Sequence, residues 1–145
     1  MYKRIVLAYD GSEPGQQALL DCHEIAQWSQ SELFLIAVMP LPMSAVGLEG
    51  HAYDPDMDER ERSKYQAILD AGLSRLANSG LTARGEVLVG DATDEIVRYA
   101  RSVEANLIVV GHKHLDSWAA RWWRGSISKA LIEHSPCSVL VVITR

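Results

Sequence analysis

What the chain lacks sets aside several function classes. Two cysteines, Cys22 and Cys137, stand among 145 residues. That is too few for a disulfide framework, and each lies in an apolar stretch, so both read as buried, reduced thiols of a cytoplasmic protein. No apolar run approaches the roughly 20 residues needed to span a bilayer. The run Ile5-Val6-Leu7-Ala8 is cut short by Asp10, so no signal peptide is expected there. Positive charge is not in surplus: 14 Lys and Arg against 19 Asp and Glu leave a net charge of -5. A general nucleic-acid binder needs a basic face, so that class is excluded, as is a membrane protein. Three signatures are also missing: a Gly-x-x-x-x-Gly-Lys-Ser/Thr loop, a Gly-x-Gly-x-x-Gly turn after the first strand, and a Gly-x-Ser-x-Gly elbow. Without them the chain is neither a P-loop protein, nor a dinucleotide-fingerprint protein, nor a serine hydrolase.

What remains is an ordinary globular composition, 48% hydrophobic and 23% charged, long enough for one domain over 1–145 with a proper core. Apolar runs at Arg4–Tyr9, Leu33–Val38, Leu107–Val110 and Ser138–Ile143 predict buried strands. Thr82–Val89 alternates more, which suits a strand nearer a sheet edge. Helical spacing fills the gaps. Ser12 caps a helix with Pro14 in its first turn, presents Ala18, Cys22, Ile25 and Ala26, and ends near Ser29. Asp54-Pro55 opens a second helix with an acidic first turn, a solvated charged face, and Tyr65, Ile68, Leu69, Gly72 and Leu76 inward. Asp91 caps a third, carrying Ile96, Val97, Ala100 and Val103. A fourth, Gly125–Ser135, places Ile127, Ala130, Leu131 and His134 on one side, and Pro136 stops it. The Pro40–Pro55 connection, with three prolines and little periodicity, is the expected mobile region. Strict alternation of strand and helix implies an α/β fold: one doubly wound parallel sheet with helices on both faces. Ligands of such sheets bind at the strands' carboxyl ends where strand order reverses, and the loops after strands one and four, carrying Asp10 and Gly111, are the candidates.

Gly111 to Ser128 is the most suggestive segment. It runs from a strand through a Gly-bounded loop to Gly125-Ser126 at a helix start, and it gathers His112, Lys113, His114, Arg121 and Arg124. Free N–H groups and the positive end of a helix dipole hold a phosphate there. Several of its residues have two readings. His112-x-His114 is either a metal pair lacking a third ligand or a solvent- or phosphate-facing pair. Trp118, Trp122 and Trp123 serve packing or a dimer contact, or stack on a base. Asp10 either caps a helix or meets a ligand. His112 or Asp116 could position a water and Arg124 could stabilise charge in slow ATP hydrolysis, but nothing in the spacing fixes that geometry, so no enzyme is expected.

Four blocks then carry a resemblance: Arg4-Ile5-Val6-Leu7-Ala8-Tyr9-Asp10-Gly11-Ser12, Gly90-Asp91-Ala92, Leu107-Ile108-Val109-Val110-Gly111, and Gly125-Ser126-Ile127-Ser128-Lys129-Ala130 through Ser135-Pro136-Cys137-Ser138-Val139-Leu140-Val141-Val142. Over essentially its whole length the chain resembles the universal stress protein family. The resemblance implies an open five-stranded Rossmann-like sheet of the adenine nucleotide alpha hydrolase-like kind and a cytoplasmic stress-response protein. It also implies a homodimer through the last strand, here Val139, Val141 and Ile143. Some members bind ATP or AMP, with or without Mg, and others act without nucleotide through dimerisation or protein partners. Binders resemble the pattern Gly-x-x-Gly-x9-Gly-Ser/Thr. In them the counterpart of Asp10 meets the ribose, backbone at the position of Val38 meets adenine, and the loop and Gly-Ser hold phosphates. Carried over, the nucleotide site comprises Ala8, Asp10 and Val38; Val110, Gly111, His112 and His114; and Arg124, Gly125, Ser126, Ile127 and Ser128. The chain departs from the pattern twice. His114 stands where the second Gly belongs, and ten residues separate it from Gly125 where the pattern has nine. A left-handed backbone at a non-Gly residue costs about 1–2 kcal/mol, a roughly tenfold loss of affinity. Basic side chains, Lys113, His114, Arg121 and Arg124, offer replacement contacts.

Overall fold

The computed structural model describes residues 1–41, 55–113 and 126–144. In them five strands alternate with four helices: β1 (Arg4–Ala8), α1 (Glu13–Ser29), β2 (Glu32–Met39), α2 (Pro55–Asn78), β3 (Ala83–Val89), α3 (Ala92–Ser102), β4 (Leu107–Lys113), α4 (Ser126–His134) and β5 (Ser138–Thr144). All strand pairs are parallel and the order is β3-β2-β1-β4-β5. The alternating strand β3 lies at an edge, as its pattern predicts.

The period-2 geometry of the strands sorts the core into two layers. Ile5, Leu7, Leu33, Leu35, Leu107 and Val109 pack against Ala18, Leu19, Cys22 and Ala26 of α1 and Leu69 and Leu76 of α2. Val6, Phe34, Ile36, Ile108 and Val110 pack against Ile96, Val97, Tyr99 and Ala100 of α3 and Leu131 of α4. Two helices therefore cover each face. The predicted caps are both present: Ser12 Oγ accepts the Gly15 N–H at 3.1 Å, and Asp91 Oδ2 accepts the Asp94 N–H at 3.1 Å.

Four local expectations are corrected. Strand β4 does not stop at Val110. Gly111, His112 and Lys113 continue it, paired with Val142, Ile143 and Thr144, because β5 is long enough to hold them in register. On α4, Leu131 is buried but Ile127 is 43% exposed and His134 is exposed. The helix has only nine residues, so its two ends reach past the layer that its middle covers. Tyr65 and Ile68 of α2 and Val103 after α3 are half-buried rather than core. Cys137 is half-buried, whereas Cys22 is fully enclosed and burial pushes its thiol up to about 12. Most of the Pro40–Pro55 connection (42–54) and most of the basic loop (114–125) lie outside the described residues.

Leu35→Ala, at a fully buried position, is expected to cost about 2–5 kcal/mol in urea denaturation, while Leu20→Ala, on the exposed side of α1, stays within about 0.5 kcal/mol. A disulfide reagent at pH 8 is expected to modify Cys137 in the native protein and Cys22 only after unfolding. A thiol held far above its ordinary value of 9.0 carries almost no thiolate at that pH. The sign also fixes a linkage: the contribution of Cys22 to stability is complete below about pH 9 and declines as pH rises towards 12.

Candidate functional site

Strands β1 and β4 are neighbours, yet the chain leaves β1 for the face covered by α1 and α2 and reaches β4 from the face covered by α3 and α4. The two crossovers part at this point and open a crevice at the carboxyl ends of β1 and β4, the place expected for a ligand. A cleft of about 130 Å³ lies there. Ala8, Asp10, Val38, Val110, Gly111 and Ile127 line it, so six sequence-predicted residues meet in space. They come from β1 and its following turn, β2, β4 and the first turn of α4. Tyr9, Ala92 and Ile96 also line it and were not foreseen. Ala92 and Ile96 enter because α3 begins at this edge, and the signal for them was the Gly90-Asp91-Ala92 block, which marks a third strand-to-helix turn at the same edge.

The turn after β1 is held by side chains. Asp10 Oδ1 accepts the Ser12 N–H at 2.9 Å and the Ser12 hydroxyl at 2.5 Å, and Ser12 Oγ in turn accepts from Gly15. Asp10 thus orders the start of α1, the capping role of its two readings. Its other oxygen, Oδ2, has no hydrogen bond among the described residues, and the residue is exposed at the cleft. The capping role occupies Oδ1 alone. Burial raises the Tyr9 hydroxyl above its ordinary value; the charge of Arg75 partly offsets this and Asp10 adds to it.

Gly111 has a reason unrelated to phosphate. A Cβ there would stand 2.3 Å from the Pro14 carbonyl oxygen and 2.7 Å from the Gly15 nitrogen. Its absent side chain lets β4 lie directly against the first turn of α1, which brings Asp10 and Val110 to one cleft. His112 continues β4 opposite Ile143, is half-buried, and is not among the cleft-lining residues. Ser128 is half-buried in the first turn of α4. Ser126 opens α4, so the first turn of that helix borders the cleft at Ile127. His114, Arg121, Arg124, Gly125 and the three loop tryptophans lie outside the described residues, as does Asp116. Among the described residues no three His, Cys, Asp or Glu side chains gather as a metal site, and no helix is long and apolar enough to cross a membrane. A larger hollow of about 400 Å³ runs along α3 towards His134. It lies off the strand ends, and its Arg98 is tied to Glu95 at 2.6 Å.

The arrangement defines a doubly wound α/β protein with a small, mainly apolar crevice at its switch point. The model of the universal stress protein family matches residues 1–142, and the chain belongs to that family. A Staphylococcus saprophyticus protein named as a universal stress protein is 28% identical over 146 residues, covering 99% of this chain and 85% of its own length. The solved structure of a universal stress protein in complex with cAMP is 25% identical, with a TM-score of 0.71 over 99% of this chain and 98% of that one. The Archaeoglobus fulgidus universal stress protein, solved in complex with dAMP, shares the fold at 22% identity and a TM-score of 0.69, over 97% of this chain and 98% of that one.

Gly111→Ala is expected to destabilise the protein by about 1–3 kcal/mol, since backbone faces backbone and neither side can yield as a flexible side chain would. In amide NMR spectra the Ser12 and Gly15 signals should move. An alanine variant with wild-type stability and unmoved signals would show that β4 and α1 are not in this contact.

Proposed function

We propose that the chain binds an adenine nucleotide, AMP or ATP, in the β1/β4 crevice as a regulatory ligand, in the cytoplasm and without turnover. The observation that carries this reading is the division of the cleft into an apolar part and a polar part. Ala8, Val38, Ile96, Val110 and Ile127 give a surface on which a flat base is buried. Asp10 Oδ2, without a hydrogen bond among the described residues, is a charged acceptor suited to ribose hydroxyls. The first turn of α4 offers N–H groups to phosphate, with Ser126 and Ser128 in it. Known relatives solved with cAMP and dAMP support the choice of an adenine nucleotide. At about 130 Å³ the cleft matches a part of a nucleotide rather than a whole one, against roughly 300–1,000 Å³ for complete small-molecule sites. The phosphates, with Mg where ATP is bound, would therefore extend beyond the cleft past the first turn of α4. His112, paired in β4 opposite Ile143, falls outside this assignment as a direct cleft contact.

Calorimetric titration with AMP and ATP is expected to give saturable heat. Asp10→Asn retains an oxygen for the Ser12 N–H but loses the charged acceptor, and should weaken binding about tenfold. Absence of heat at millimolar nucleotide with the wild-type chain would sink the proposal and favour the family's nucleotide-independent mode, for which His114 and the longer loop are the sequence argument.

We also propose a homodimer through β5. That strand pairs with β4 on one side and forms the sheet edge on the other, with Ile143 58% exposed and Val139 and Val141 half-buried. An apolar edge of this kind favours strand pairing with a second copy. Sedimentation is expected to show a dimer that Ile143→Lys shifts towards monomer. A wild-type monomer at all concentrations would exclude it.

A further inference from the structure

Helix α2 bears on the turn that carries Asp10 along a single stripe. Ile68, Gly72 and Arg75 are spaced i, i+4, i+7 and so share one helix face. Gly11 has φ +76, a conformation suited to glycine, and Ile68 Cγ2 lies 3.4 Å from where its Cβ would stand. A Cβ on Gly72 would lie 2.8 Å from Tyr9 Cε1, so α2 rests directly on the ring that precedes Asp10. One turn further on, Arg75 Nη1 donates to Gln16 Oε1, and Gln16 Nε2 donates to the Gly11 carbonyl at 3.3 Å. Arginine has donors only. Its partner on Gln16 must therefore be the amide oxygen, which turns the amide nitrogen to Gly11. Gly11 sits between Asp10 and Ser12, the two residues whose 2.9 Å and 2.5 Å hydrogen bonds orient the carboxylate.

We infer that Gln16 and Arg75 are positioning residues: through the Gly11 carbonyl they couple the seating of α2 to the orientation of Asp10 in the crevice. The coupling to ligand affinity rests on the adenine-nucleotide reading above; the coupling to the turn does not. Neither residue lines the cleft. Arg75 is exposed and Gln16 half-buried, so their bonds add little to global stability and act on the local turn.

Gln16→Glu separates the two halves of the relay. It keeps an oxygen for Arg75 but has no N–H for Gly11, and it sets a negative charge near that carbonyl. In the ligand-free protein, exchange of the Ser12 amide proton is expected to quicken about fivefold, with amides in the middle of α1 unchanged. In calorimetry, AMP affinity is expected to fall about fivefold while the melting temperature holds. Arg75→Met, which keeps the aliphatic stem, should shift both readouts in the same direction by less. Wild-type Ser12 exchange in Gln16→Glu overturns the inference. So does a rise spread evenly along α1, which marks a merely structural role. If Ser12 exchange quickens and AMP affinity is unchanged, the turn is positioned by this relay but Asp10 is not what AMP meets, and the affinity half is overturned. If the wild-type chain binds neither AMP nor ATP, the nucleotide reading fails and the Ser12 exchange decides the positioning claim alone.

Discussion

The pairing of β1 with β4 governs everything at the ligand edge. β1 is central, with β2 on one side and β4 on the other, and Ile5, Val6 and Leu7 are fully buried. Because the crossovers before and after this pair run on opposite faces of the sheet, their loops part at its carboxyl end, and a hollow is unavoidable. At that end β4 can lie against the first turn of α1 only where a side chain is missing. Gly111 supplies that place, lying so near the Pro14 carbonyl that any Cβ would collide with it. A residue that resembles a phosphate-loop glycine by sequence is, in the described structure, a packing glycine of a strand.

Around this contact the site is assembled from separate parts with separate causes. The apolar floor is the upward continuation of the second core layer, in which Val110 and Ile96 already pack. The acidic part is a turn stabilised by Ser12 and braced by α2 through Tyr9, Gly11 and Gln16. The helix-start part is α4, whose short length leaves Ile127 at the cleft rather than in the core. Binding of an adenine nucleotide, as proposed, would draw on all three parts at once and would need neither a P-loop nor a dinucleotide fingerprint.

Much of this was legible from residue order. The apolar runs, the Ser12 and Asp91 caps and the Pro55 helix start are local features with local causes, so the element order followed from them. Edge placement of β3 followed from its alternation. The convergence of Asp10, Val38, Val110, Gly111 and Ile127 followed from the rule for doubly wound sheets and from the family resemblance together. The length of β4 was missed because its last three residues, with Gly111 among them, read as a loop in isolation. Only the partner strand gives them hydrogen bonds. Ala92 and Ile96 were missed as cleft residues because nothing local to α3 says which strand end it starts beside.

The sequence by itself determined the alternation of strands and helices, the caps, the family and the residue types available at one sheet edge, since each depends on neighbours within a few positions. The tertiary structure alone decided the order β3-β2-β1-β4-β5 and the two-layer sorting of the core. It alone decided that Gly111 meets Pro14, and that α2 reaches the Asp10 turn through Arg75 and Gln16, 59 positions apart in the chain. Those contacts join segments far apart along the backbone. Their cause is the shared volume that must be filled when two faces of one sheet are covered at close-packed density, and no local pattern encodes it.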